Sequence, residues 1–323
     1  MTAIHVVDRS SKVPVLERLA QDVRAGLSST PPTLPPKWFY DEKGSLLFDE
    51  ITQLEEYYPS RTEEQILRDH APDIASLCPA TTLIELGAGT SRKTRLLIEA
   101  LTGPDRPLQF VPLDVSTEIL VASATRIRAD YPTVSVSPVV ADFDDDLSPL
   151  PGDDGHRLLA FLGSTIGNYP KPARAIFLGR IAQALAPGDC LLLGADLVKS
   201  PARLIAAYDD REGVTAAFNR NVLSVLNAQL DGDIDPDDFE HVARWNEAEE
   251  RMEMWLRARH PITARLAAID FHWTLPAGGE VLTETSAKFR VPGLHTELAA
   301  AGLEPVRTWC DAADDFSVTL ARR

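Results

Sequence analysis

The sequence is poor in cysteine, short of positive charge and without a long apolar run, and each shortage excludes something. Its three cysteines, Cys78, Cys190 and Cys310, are an odd number without metal-ligand spacing, so neither a secreted disulfide framework nor a zinc fold is expected. Thirty-two Lys and Arg stand against 48 Asp and Glu, a formal net charge of −16. Polyanion binding needs clustered basic residues that release counterions, so nucleic acid and anionic membranes are disfavoured as partners. No stretch approaches the ~18 apolar residues of a membrane span, and residues 1–11 lack a signal-peptide core. A cytoplasmic protein is expected. The seven histidines form no ligand-like cluster, so no metal and no catalytic histidine is assigned, and no internal repeat or low-complexity tract is present. A hydrophobic fraction of 44% is ample for a core. The 323 residues exceed the roughly 100–200 of a usual domain, which implies a core plus a substantial insertion or second domain.

What is present begins at Leu83-Ile84-Glu85-Leu86-Gly87-Ala88-Gly89-Thr90-Ser91. An apolar strand delivers an acidic residue into a glycine turn, and an amphipathic helix follows. Gly87 and Gly89 let the backbone turn sharply and approach a ligand closely. A dinucleotide fingerprint would need a third glycine where Arg92 stands. A phosphate-binding G-x-x-x-x-G-K-T loop is approached by Lys93-Thr94 but fails at the same Arg92. S-adenosylmethionine carries no pyrophosphate and needs only a tight turn ringed by hydrogen-bonding groups. Taken alone, the two-glycine match is also that of a plain strand-to-helix turn.

The order of the following segments adds what the loop lacks. Phe110-Val111-Pro112-Leu113-Asp114 reads as a second strand whose terminal carboxylate lies 25 residues beyond Gly89, placed to accept the hydroxyls of a ribose. Residues 134–136 and 139–143 read as a third strand ending in Asp142-Phe143, a carboxylate for an exocyclic amine and a ring for an adenine. The continuous apolar run from Leu158 to Gly163 fits a central strand buried on both faces. Residues 186–194 add a Pro-Gly turn and another apolar strand. Asp114, Asp142 or Gly163 singly would also serve as a loop cap or turn residue. Five strand ends in this sequence favour an α/β, Rossmann-like class I methyltransferase core: a doubly wound sheet, completed by an antiparallel C-terminal hairpin at 305–310 and 316–321.

Elsewhere, helical spacing predicts helices over 14–27, 44–54, 62–70, 214–230 and 294–301. The run Pro31-Pro32-Thr33-Leu34-Pro35-Pro36 is a stiff extended connection. The acidic stretch 231–238 lacks the glycine and terminal Glu of a calcium loop and reads as a turn and helix cap. Residues 251–259, 265–275 and 280–290 alternate as three antiparallel strands. The core is therefore expected over 62–208 and 293–323, with a discontinuous α+β substrate-binding domain over 12–61 and 209–292.

Several segments carry a family likeness: Lys37-Trp38-Phe39-Tyr40-Asp41, Gly44 to Asp49, Glu56-Tyr57-Tyr58-Pro59-Ser60-Arg61-Thr62-Glu63, Gly163-Ser164-Thr165-Ile166-Gly167-Asn168, Phe218-Asn219-Arg220-Asn221, Glu253 to Arg257, and Leu282-Thr283-Glu284-Thr285-Ser286. Together they resemble the histidine-specific N-alpha-methyltransferases of ergothioneine biosynthesis, over nearly the whole chain after its first dozen residues. The resemblance implies trimethylation of the α-amine of L-histidine to hercynine, through mono- and dimethyl intermediates, by a monomer using S-adenosyl-L-methionine. It further implies cofactor contacts from Gly87, Lys93, Asp114, Asp142, Phe143 and Gly163. Substrate contacts would come from Tyr57, Asn168, Tyr208, Met254, Glu284, Thr285 and Ser286, with Tyr40 and Tyr57 near the reacting amine.

The residues make chemical sense of these roles. Asn168 and Tyr208 are neutral donors for a carboxylate. Glu284 and Ser286, two apart in a strand, face one side and can read two polar atoms of an imidazole, which tryptophan or tyrosine would not satisfy. Outside the likeness, Tyr40, Tyr57 and Tyr58 also fit packing aromatics, Glu284 a solvated strand residue, and Met254 ordinary core. The alternatives are a relative acting on another amino acid, such as a tryptophan derivative, and a non-catalytic cofactor-binding regulator.

Overall fold

The computed structural model describes residues 6–9, 13–103, 106–144, 147–150 and 155–323. Most of the N-terminal segment read as lacking a signal peptide, and Lys12 at the expected domain start, lie outside these. The chain divides into two compact units, one of Met1–Lys12, Arg61–Leu197 and Phe289–Arg323, the other of Val13–Ser60 and Val198–Lys288.

The first unit is built on a nine-stranded sheet. Its order runs Val7–Asp8, Val139–Val140, Leu108–Asp114, Thr82–Leu86, Arg157–Phe161, Cys190–Asp196, Phe316–Arg322, Glu304–Cys310, with Val134–Val136 also on Leu108–Asp114. The pairings are parallel as far as Cys190–Asp196, and the C-terminal hairpin then joins antiparallel. Thr82–Leu86 and Cys190–Asp196 are buried at every position. That is why they read as unbroken apolar runs: helices Thr94–Leu101, Thr117–Asp130 and Lys171–Ala184 connect the strands and cover a parallel sheet. The strand order reverses between Thr82–Leu86 and Arg157–Phe161. In an open α/β sheet such a switch point, beyond the carboxyl ends of the strands, is where ligands bind. The loops that begin at Gly87 and Leu162 leave from those two ends.

The second unit carries a three-stranded antiparallel sheet, Glu280–Ala287, Arg251–Ala258 and Phe239–Asn246 in that order. Helices Val15–Leu27, Glu42–Ile51, Pro201–Tyr208 and Val214–Leu230 surround a core of Leu19, Phe39, Leu204, Leu226, Phe239 and Met254. The proline-rich connection borders the sheet, where the Leu34 amide donates to the Leu282 carbonyl at 2.9 Å and the Leu282 amide to Pro32 at 2.9 Å.

Several expectations need correction. The third strand of the first unit is two short ones, because Pro138, without an N–H, interrupts the ladder between Val134–Val136 and Val139–Val140. The helix expected over 62–70 runs Pro59–Leu77, through Pro72. Residues 265–275 are not one strand: Ile262–Leu266 and Phe271–Leu275 form a separate two-stranded sheet. A short 3-10 turn and Asp270, at φ +46°, reverse the chain between them. The strand Phe239–Asn246 was not anticipated. The units also divide at 197/198 and 288/289, so helix Pro201–Tyr208 lies with the second unit, where Leu204, Ala207 and Tyr208 enter its core.

Candidate active site

In the first unit the glycine loop is shaped by left-handed backbone: φ is +67° at Gly87, +48° at Gly89 and +51° at Ser91. A Cβ on Gly89 would meet nothing within 4 Å, and one on Gly87 only the Phe143 ring at 3.5 Å. The loop thus faces open space in front of its backbone, as a ligand cradle requires. Asp114 braces it, one carboxylate oxygen accepting from the Gly89 amide at 2.9 Å and the other from Ser116 at 3.1 Å. Each oxygen keeps a lone pair for a ribose hydroxyl. Asp142, half-buried, accepts from the Asp144 amide at 3.0 Å, and Phe143 sets its ring edge-on to Phe161 at 5.5 Å between centroids. Arg92 is exposed and pairs with Glu64 at 3.2 Å.

Lys93 and Gly163 meet at a residue to which no role had been given, Glu63. Fully buried, its carboxylate accepts from the Gly163 amide at 2.8 and 2.9 Å and pairs with the Lys93 ammonium. The fit is close, since a Cβ on Gly194 would stand 1.9 Å from Glu63 Oε1. Glu85 is buried on the adjacent strand, accepts from Thr94 Oγ1, and is pushed up to about 8 by burial. Asn168 is also in this unit, half-buried at the end of the 3-10 helix Thr165–Asn168.

The remaining expected substrate residues fall in the second unit. Tyr57 is half-buried and packs edge-on against Phe48 at 6.3 Å and Tyr208 at 6.5 Å between centroids. Tyr40, 41% exposed, stands edge-on to Phe48 at 5.6 Å and Phe218 at 5.5 Å. Met254 is buried directly opposite Glu284 in the strand register. Thr285 is half-buried, opposite Glu253.

A bulge aims this strand. Leu282 faces Trp255 and Glu284 faces Met254, so two steps on one strand match a single step on its neighbour. Unbroken alternation would have set Glu284 and Ser286 with Leu282, on the face away from Val281 and Thr283. The extra residue brings them round instead. Thr283 donates to Asn219 of helix Val214–Leu230 at 2.6 Å, and Ser286 accepts from the Tyr208 hydroxyl at 2.8 Å. Below them Asn219 contacts the His241 ring at 2.8 Å, and that ring's other nitrogen meets the Tyr208 carbonyl at 2.8 Å. Burial lowers the His241 pKa, so a neutral imidazole bridges the two helices. Lys288, likewise buried, donates to the hydroxyls of Tyr208 at 2.8 Å and Ser286 at 3.0 Å.

Glu284 differs from its neighbours. It keeps some exposure, yet its carboxyl sits in surroundings dry enough to push it up to about 7, with the nearby Lys288 charge pulling the other way. Among the described residues it has no hydrogen-bond partner. Asn219, His241 and Lys288 were missed as parts of this floor. Asn219 stood inside a quoted motif, and the position of Lys288, four beyond Glu284, was the available signal.

Among the described residues no group of His, Cys, Asp and Glu could hold a metal ion, and no helix is long and apolar enough to cross a membrane. Over residues 19–323 the chain matches a family described as histidine-specific methyltransferase, SAM-dependent. It is 53% identical to a histidine N-alpha-methyltransferase of Mycobacterium tuberculosis, over 94% of this chain and 95% of that one. A 36% identity links 61% of it to 23% of ergothioneine biosynthesis protein 1 of Neurospora crassa. A 4-dimethylallyltryptophan N-methyltransferase of Trichophyton verrucosum is 33% identical over 71% of this chain and 72% of its own. The chain thus belongs to the histidine-specific, S-adenosylmethionine-dependent methyltransferase family.

Proposed function

We propose that the protein methylates the α-amine of L-histidine three times, through mono- and dimethylhistidine, to give hercynine for ergothioneine biosynthesis. The observation that carries this reading is Glu284, a desolvated carboxylate with no partner among the described residues, beside Ser286 and opposite Met254. Once a ligand shuts out the remaining water, an acceptor left unmatched penalises the complex unless that ligand supplies a donor. An imidazole N–H supplies it, and the ring's second nitrogen answers Ser286. An indole has no second nitrogen, so a tryptophan derivative would leave Ser286 unmatched.

In this proposal Asn168 takes the substrate carboxylate, Tyr57 orients the amine and Met254 borders the ring. The one proton of Tyr208 goes to Ser286, so Tyr208 supports the ring contact instead, and Thr285 alternates to the other face of the strand. Gly87, Lys93 and Gly163 hold the amino-acid end of S-adenosylmethionine, Asp114 its ribose, and Asp142 and Phe143 its adenine. The open cradle at Gly87 and Gly89 and the lone pairs left on Asp114 support that fit. The cofactor supplies a methyl group on a sulfonium that leaves as a neutral thioether, so little covalent help is required. Positioning and exclusion of water dominate. The amine sheds a proton in each of the first two rounds, to water, with Tyr40 or Tyr57 assisting; the exposure of Tyr40 gives that proton a route to solvent. The proposal includes a cytoplasmic monomer, with its three thiols unpaired.

The test is mass spectrometry after incubating the protein with S-adenosylmethionine and the twenty amino acids. The expected result is a gain of three methyl groups on histidine alone. No histidine product, or preference for another amino acid, overturns the proposal. Cofactor binding without any turnover would point to a regulator instead.

A further inference from the structure

The floor beneath Glu284 contains a buried cation whose bonds determine what Ser286 can do. Lys288 extends from the end of strand Glu280–Ala287, on the same face as Glu284 and Ser286, and is almost wholly buried. An ammonium has three donors and no acceptor. Both hydroxyls it touches, Tyr208 Oη at 2.8 Å and Ser286 Oγ at 3.0 Å, therefore accept from it. The Tyr208 hydroxyl in turn donates to Ser286 at 2.8 Å. A serine hydroxyl has two lone pairs and one proton. In Ser286 both lone pairs are taken, one by Lys288 and one by Tyr208. Its proton is given to no described residue.

We propose that Lys288 is a positioning residue that sets the substrate class by making Ser286 an obligate donor, so that the site requires a ring with an unprotonated nitrogen beside an N–H. Glu284 accepts the N–H and Ser286 donates to the lone pair. Azole amino acids such as neutral histidine meet both demands. A free serine hydroxyl would turn to accept or donate as the ligand required, and would discriminate poorly. The Lys288 charge also works against the effect of burial on Glu284, and so favours its ionised, accepting form. Ring selection is thus assigned to the order of hydrogen bonds below Ser286 as well as to the two side chains that touch the ring.

This inference rests on the histidine reading, and the experiment separates the two. Steady-state kinetics with histidine and with tryptophan are compared for the full-length wild type, Lys288→Met, Ser286→Ala and the double variant, with cofactor binding measured on each as a check on folding. Lys288→Met is expected to raise the histidine KM about tenfold and narrow the histidine-to-tryptophan preference, with cofactor affinity within about twofold of wild type. Because Lys288 acts through Ser286, Ser286→Ala should change little in the Lys288→Met background, whereas a merely structural lysine would give two independent, multiplying effects. Lys288→Arg, which still only donates, should retain most of the preference. If Lys288→Met does not bind cofactor, Lys288→Gln carries the same comparison. Wild-type turnover of histidine with an unchanged KM in the lysine variant, or multiplying effects in the double variant, overturns the inference alone. A wild type that ignores histidine overturns the histidine reading, and the inference falls with it.

Discussion

Glu63 in the first unit is fully buried and Glu284 in the second is half-buried, and they differ in what meets them. Glu63 is fully enclosed and answered on both oxygens, by the Gly163 amide and by Lys93. Glu284 is less enclosed, accepts no hydrogen bond from any described residue, and has its pKa raised by the same burial. A carboxylate whose partners are built in holds loops together. One left unmatched by the protein is open to a ligand, and it would cost about 1–3 kcal/mol to cover it with a ligand that offers no donor. The first arrangement suits a cofactor site that any amino acid substrate could share, and the second a site that must tell one side chain from another.

Removing each carboxylate in turn should affect different functions. Glu284→Ala should lower kcat/KM for histidine about a hundredfold, matching the ~1.5–3 kcal/mol of a hydrogen bond to a charged group, while cofactor affinity stays within about twofold. Equal loss of both, read by calorimetry with cofactor and kinetics with histidine, would reverse the assignment. Glu63→Ala should act the other way round. It strands the Lys93 ammonium and the Gly163 amide, so denaturant melts should show a loss of about 3 kcal/mol, and cofactor affinity should fall about tenfold. The preference for histidine over other amino acids should be untouched. A changed preference with normal cofactor binding would mean that Glu63 takes part in substrate selection.

The two sites were not equally legible in the sequence. The first unit was readable because strands buried on both faces must be apolar throughout, and because turns such as Gly87 to Ser91 need residues that tolerate positive φ. The second unit hides its signals in tertiary context. Strand Phe239–Asn246 points His241 inward, where a polar residue is acceptable only because Asn219 and the Tyr208 carbonyl satisfy it. Between Leu266 and Phe271 the turn carries Ala267, Ala268 and Ile269, so apolar spacing continues through a reversal of the chain. The bulge at Thr283 leaves no compositional mark, yet it sets which face Glu284 and Ser286 occupy. Lys288 reads as a solvated residue until Tyr208 and Ser286 are seen around it, and Glu63 sits in a quoted motif with nothing nearby in sequence to name its partners.

The smallest expected effect follows from the raised pKa of Glu284, about 7 against the ordinary 4.5. Burial favours the protonated form in the folded protein, so this group's contribution to stability is fully present below pH 4.5 and is lost as pH rises through about 7. The free enzyme should therefore lose stability across that window, by about 1 kcal/mol or less from Glu284 after allowance for its residual exposure. Glu85, pushed up to about 8, adds a slope of the same sign reaching slightly higher. The difference between wild type and Glu284→Gln isolates the first group from the second: melting temperature plotted against pH should fall less steeply for the variant between pH 5 and 7.5. The kinetic counterpart has the opposite sign. An ionised Glu284 is the better acceptor, so kcat/KM for histidine should decline below about pH 7, and the enzyme's share of that limb should vanish in Glu284→Gln while the substrate's own titration remains. Parallel curves for wild type and variant would show that Glu284 is not the titrating group and would remove the ground for setting it apart as a ligand-binding carboxyl.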